Sequence, residues 1–129
     1  MRQVEVLKDQ LSSGNIKQLV KEKVLILMMS NPTKKNAIND EMYLALSQAL
    51  NEAATNDQIH VVVLSGEGSA FTSGNDVNAF EKRDTTSTKP PSSIKFLKSL
   101  ATFPKPIIAK VNGVAIGIGS TMLLHCDLV

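Results

Sequence analysis

Two glycine-centred stretches could do chemistry, although neither contains a conventional reactive group. "AFTSGNDV", residues 70–77, follows directly on "VVVLSG", a run that reads as a fully buried strand. It holds no His, Cys or Lys, and its one charge is Asp76. "NGVAIGIGS", residues 112–120, follows a second apolar run, "KPIIAKV". Glycine admits positive φ and lets a ligand approach the backbone closely. The second stretch also opens a helix, whose first N–H groups have no intrahelical partner. Two backbone N–H groups, one per loop, would form an oxyanion hole, worth roughly 3–4 kcal/mol of transition-state stabilisation per donor. The same glycines also suit tight turns and close helix–strand packing, and spacing alone leaves both readings open. Neither stretch is a G-x-G-x-x-G dinucleotide fingerprint or a Walker A loop.

The elements around these loops read as α/β. "QVEVLK" alternates like a half-buried strand, and "SSGN" is a turn signal. "IKQLVKEKVLILMM" reads as strand interrupted by charges at Lys21 to Lys23, with Met28 and Met29 in its core. Pro32 keeps "SNPTKKNAIND" a loop. Asn39 can cap the following helix, and Asp40 and Glu41 favour its first turn. Met42, Ala45, Leu46, Ala49, Leu50 and Ala53 form one apolar helix face. "IHVVVLSG" is apolar on both faces, as an internal parallel strand is. A short helix to Glu81 is expected after the first loop. "KRDTTSTKPPSS", about residues 82–93, reads as a mobile excursion. "IKFLKSLATF" is an amphipathic helix, "KPIIAKV" a second buried strand, "TMLLHC" a helix, and "DLV" the start of a third strand.

Composition removes several function classes. The 129 residues make one domain at most. With 14 basic and 12 acidic residues the formal charge is only +2, which argues against nucleic acid or an anionic membrane as partner. Polyphosphate ligands need only a few local cations and stay open. One cysteine, Cys126, excludes an internal disulfide and points to a reducing compartment. No Cys/His spacing suits zinc, and no apolar tract is long enough to span a bilayer.

"NPTKKNAIN", "SGEGSAFTSGNDVNAF" and "FPKPIIAKVNGVAIGIGSTMLLHCDLV" resemble, in order, landmarks of the crotonase, or enoyl-CoA hydratase/isomerase, superfamily. "SGND" and "FPKPIIAKVNG" look closest to the peroxisomal-type Δ3,Δ2-enoyl-CoA isomerases. The resemblance implies a repeated ββα spiral core binding acyl-CoA thioesters, with the C-terminal part of the fold, its trimer-forming helices and a catalytic Glu beyond Val129. It implies oxyanion-hole donors at the N–H groups of Asn75 and Ile118, the latter following Gly117. Because the main chain acts, the Asn75 and Ile118 side chains are expected to matter little. It places the CoA nucleotide near Ala37, Lys34 and Lys35, and the thioester channel along Thr72, Ser73, Gly74, Asn75 and Asp76. The lysines are equally compatible with a solvated loop. No cofactor beyond the CoA of the substrate is implied. A homotrimer and a peroxisomal or mitochondrial location accompany the family.

Hydratases of the family carry a glutamate where this sequence has Thr121, which cannot be a general acid near neutral pH and so favours isomerase chemistry. Among the carboxylates, Asp76 reads as a loop-fixing or helix-capping group and Asp127 as one that orients a turn. Glu67 and Glu81 read as solvated, His60 as a surface or edge residue, His125 as packed, and Cys126 as buried. Two alternatives stay open: a non-catalytic acyl-CoA or protein-interaction module on the same fold, and a truncated product without independent function. The chain alone is expected to bind CoA esters weakly and to turn over nothing.

Overall fold

A computed structural model describes residues 4–9, 15–77 and 90–129. The expected short helix to Glu81 and most of the expected mobile excursion lie outside these residues. Strands β1 (Val4–Asp9), β2 (Ile16–Lys21), β3 (Val24–Met29), β4 (Val61–Gly66) and β6 (Ile107–Lys110) form one sheet in the order β1-β2-β3-β4-β6. β1, β2 and β3 pair antiparallel, whereas β3–β4 and β4–β6 are parallel. "IKQLVKEKVLILMM" is therefore not one interrupted strand but a hairpin. Glu22 and Lys23 have φ of 50° and 69° between paired Lys21 and Val24. Two left-handed residues reverse the chain with the twist that adjacent strands need.

Helix α1 (Asp40–Ala54) starts as its sequence indicates: the Asn39 side chain accepts from the Met42 N–H at 2.9 Å. Its apolar face shares one buried cluster with Leu25, Leu27 and Met29 of β3, Val62 and Leu64 of β4, and Ile107 and Ala109 of β6. The buried side of α1 is wider than the apolar stripe, since it also takes in Tyr43 and Ser47. Helix α2 (Ser92–Ala101) covers that second side, with Phe96 against the Tyr43 ring at 5.8 Å between centroids. Ser92 and Ser93, expected within the excursion, already belong to α2. At the far end of α1 the Lys105 ammonium donates to the carbonyls of Ala53, Asn56 and Ile59 at 2.7–2.8 Å. A cation there ties the end of the helix to the turn that follows it and suits the negative end of the helix dipole.

A second, two-stranded parallel sheet pairs β5 (Ala70–Thr72) with β7 (Val114–Ala115). Both strands fall inside stretches that read as loop. β6, β7 and helix α3 (Ile118–Leu123) then form a strand–strand–helix unit, whose first two parts β4 and β5 repeat. α3 begins three residues before the expected "TMLLHC" helix and ends at Leu123, so His125 sits exposed in the turn after it rather than packed. "DLV" contributes one isolated bridge, Leu128 to Ile108, in place of a strand.

Candidate functional site

The first loop is fixed by hydrogen bonds on both sides of Asn75. Ile38 N–H donates to the Gly74 carbonyl at 2.8 Å, and Asp76 N–H donates to the Ile38 carbonyl at 2.9 Å. In a trans peptide the C=O and N–H point in opposite directions. Holding the Gly74 carbonyl on Ile38 therefore turns the Asn75 N–H away from it. That N–H donates to no other described group. Gly74 has φ +99°, and a Cβ placed there would lie 2.9 Å from the Ile116 carbonyl oxygen. Only glycine meets both conditions without strain.

The second loop lies against the first. Ile116 N–H donates to the Thr72 carbonyl at 3.1 Å, and a Cβ on Gly119 would fall 2.7 Å from the Thr72 methyl carbon. Gly117 precedes α3 with φ +59°. Gly119 N–H turns back to Ile116, and Ser120 and Thr121 N–H groups turn back to Gly117. The Ile118 N–H, at the first helical position, donates to no described group. The two expected donors thus belong to loops in direct contact, and both remain unspent.

Lys34, Lys35 and Ala37 border the same loop. Ser73 N–H donates to the Lys35 carbonyl and Ser73 Oγ to the Lys34 carbonyl. Lys34 Nζ lies 3.3 Å from a carboxylate oxygen of buried Asp76, so Asp76 is a loop-fixing group. Lys35 is exposed. Two residues that sequence reasoning passed over organise this region. Asn36, fully buried with φ +59°, donates through Nδ2 to the carbonyls of Glu67, Ala70 and Phe71 and accepts the Asn31 N–H. Its own carbonyl accepts from Thr72 Oγ1, which in turn accepts from the Gly74 N–H. Tyr43, on α1, donates its hydroxyl proton to Asn75 Oδ1. The one signal available was Asn in a turn, a residue that tolerates the left-handed region. Nothing local marks Tyr43.

Residues 20–129 match the family model described as enoyl-CoA hydratase/isomerase. The chain belongs to this family, the crotonases. It is 35% identical over 108 residues to 2,3-dehydroadipyl-CoA hydratase of Escherichia coli, covering 84% of this chain and 42% of that one. It is 38% identical over 108 residues to peroxisomal enoyl-CoA delta isomerase 3 of Mus musculus, covering 80% and 34%. The solved enoyl-CoA hydratase/isomerase of Pseudoalteromonas atlantica superposes with a TM-score of 0.82 at 41% identity, over 88% of this chain and 45% of that one. The chain thus spans less than half the length of these crotonase relatives.

Few titratable groups of this crotonase chain approach the paired loops. Thr121 is exposed, and its hydroxyl donates to the Gly117 carbonyl. Glu67, expected to be solvated, is partly exposed and also engaged by Lys17 Nζ at 3.0 Å and Ser30 Oγ at 2.9 Å, and these hydrogen bonds hold its carboxyl below the usual range. Asp127 accepts the Ile107 N–H at 2.8 Å, tying the last residues to β6. His60 is exposed just before β4. Cys126 is half-buried, and burial, followed by the adjacent Asp127 charge, pushes its thiol up to about 11. Glu81 lies outside the described residues. Among the described residues, no cluster of His, Cys, Asp and Glu could hold a metal ion, and no helix is long and apolar enough to cross a membrane.

Proposed function

We propose that the chain binds fatty acyl-CoA thioesters, with the Asn75 and Ile118 N–H groups as an oxyanion hole for the thioester oxygen. The chemistry served is Δ3-to-Δ2 enoyl-CoA isomerisation in fatty-acid β-oxidation. A base removes a proton at C2, the electrons spread into a dienolate, and the same group returns the proton at C4. The thioester carbonyl is itself the electron sink, so the reaction needs no further cofactor. Two preorganised donors aimed at that oxygen lower the barrier where charge develops.

The observation that carries this reading is the contact of two glycine loops, Gly74 on Ile116 and Gly119 on Thr72, each beside an unspent backbone N–H. Thr121, at a position where the family's hydratases carry glutamate, favours isomerisation over hydration. In this reading the acid/base comes from the part of the family fold that the chain does not span. Lys34, Lys35 and the Ala37 main chain take the CoA nucleotide, and Thr72 to Asp76 line the thioester channel. Trimeric assembly and a peroxisomal or mitochondrial location belong to the same reading, the latter in keeping with the mouse relative's name.

Titrating 15N-labelled chain with hexanoyl-CoA and with free CoA tests the site. The thioester should move the Asn75 and Ile118 amide resonances, and free CoA should leave them in place. If hexanoyl-CoA leaves both unmoved at saturation, the oxyanion assignment is wrong. In a form spanning the family's full length, 3-enoyl-CoA should isomerise much faster than 2-enoyl-CoA hydrates. Comparable rates would overturn the isomerase reading, and binding without either reaction would favour a non-catalytic module.

A further inference from the structure

We infer that Tyr43 is a positioning residue of this site, which orients the oxyanion loop through the side chain of Asn75. This deepens the reading above and rests on it. It also reverses the expectation that the Asn75 side chain matters little.

The geometry starts at α1. Tyr43 is 3% exposed, and its ring is wedged against Phe96 of α2. A buried hydroxyl needs an acceptor. Among the described residues the acceptor is Asn75 Oδ1. Burial, reinforced by the nearby Asp40 charge, raises the phenol's pKa above its ordinary value, so the O–H stays a donor at physiological pH. Asn75 is otherwise exposed. Its main chain is held on one side by Ile38 through Gly74 and Asp76. That bridge through the flanking residues acts on either side of Asn75 and not on Asn75 itself. The hydrogen bond from Tyr43, on a rigid helix, adds an anchor at Asn75 itself. The Asn75 N–H is then presented at a fixed angle before the ligand arrives, which is where a backbone donor gains its advantage.

The amide orientation follows from the same bond. Because the tyrosine donates, Oδ1 must face it, and the Nδ2 donors face elsewhere. They bond to no described group. Replacing the side chain therefore does two things: it strands a buried hydroxyl, and it removes the anchor at Asn75 itself.

The test uses two probes, acetoacetyl-CoA and free CoA, on wild type, Tyr43→Phe, Asn75→Ala and the double variant. Acetoacetyl-CoA enolises, and its enolate has a near-ultraviolet band that reports charge stabilisation at the thioester oxygen. Tyr43→Phe keeps the ring against Phe96, so the helix packing survives. Thermal melts of every variant separate loss of fold from loss of positioning. The expected result is a roughly tenfold weaker affinity for acetoacetyl-CoA in Tyr43→Phe, the size of one hydrogen bond. Its enolate band should weaken, with affinity for free CoA unchanged. Asn75→Ala should cost about as much, and the double variant little more, because both act through one bond. Unchanged acetoacetyl-CoA affinity and enolate band in Tyr43→Phe would overturn the inference while leaving the oxyanion hole standing. So would an equal loss for both probes. If wild type itself prefers acetoacetyl-CoA no more than free CoA, the oxyanion hole fails, and the positioning role with it.

Discussion

Replacing Asn36 by alanine should be among the most damaging single changes in this chain. The Asn36 amide nitrogen carries two protons and is shared among the carbonyls of Glu67 and Ala70, both at 2.9 Å, and Phe71 at 3.3 Å. Its Oδ1 accepts the Asn31 N–H at 2.7 Å. That amounts to three well-formed hydrogen bonds, each worth about 1 kcal/mol net and more where the partner is left buried. Asn36 also sits at φ +59°, which asparagine tolerates and alanine resists by roughly 1 kcal/mol. The loss comes to about 4 kcal/mol, a large share of a typical domain's stability. For a chain of this length the unfolding entropy is roughly 0.27 kcal/mol/K, so the melting temperature should fall by about 15 °C. Urea denaturation and thermal melts of wild type and Asn36→Ala measure it. A fall below about 4 °C, one hydrogen bond's worth, would refute the reasoning. Asn36→Asp sharpens the test. It keeps Oδ1 but sets a carboxylate oxygen against carbonyl oxygens, so its folded pKa rises above the unfolded value. In that window the native state binds more protons, and the variant's stability should fall as pH rises. A deficit that grew on acidification would contradict the proposed contact.

Gly74→Ala should destabilise by about 2–3 kcal/mol, from positive φ and the approach to the Ile116 carbonyl. It should also weaken thioester binding, whereas Gly117→Ala, with open space around its Cβ, should cost stability less; equal melting shifts would count against the loop contact. The Glu67 carboxyl is held below its usual range by Lys17 and Ser30. Its contribution should be present at neutral pH and vanish as pH drops through the ordinary carboxylate range toward the lowered value. Melts of Lys17→Met between neutral and acid pH should therefore converge on wild type at the acid end, and a constant offset would disprove this. Cys126, with its thiol pushed up to about 11, should react with a thiol-specific disulfide reagent more slowly than free cysteine at neutral pH. Its rate should climb with pH well past neutrality, and a fast neutral reaction would sink the assignment.

Much of this protein is written locally. The Asn39 cap, the apolar stripe of α1 and the doubly apolar β4 follow from helical and strand periodicities that each segment carries by itself, and the structure reproduces them. The two glycine loops were visible as backbone-chemistry candidates because positive φ and close approach leave glycine as their residue type. Other features had little or no local signature. Lys21 to Lys23 looked like an interruption because Glu22 and Lys23 are not the Asn or Gly usual in a two-residue reversal; strand pairing holds them left-handed. β5 and β7 have three and two residues, too few for a period, and exist because each supplies the other's partner. His125 looked packed because the helix was expected to extend through it, yet α3 ends at Leu123. Tyr43 and Asn36 join groups about 30 residues away in the chain, Tyr43 to Asn75 and Asn36 to Glu67 and Phe71. Periodicity and residue type determined which segments become helix, strand and glycine loop, because those preferences act within a few residues. Only the tertiary structure decided which loops touch and which side chains hold them, because hydrogen bonds and packing between distant segments form only when the whole sheet has closed.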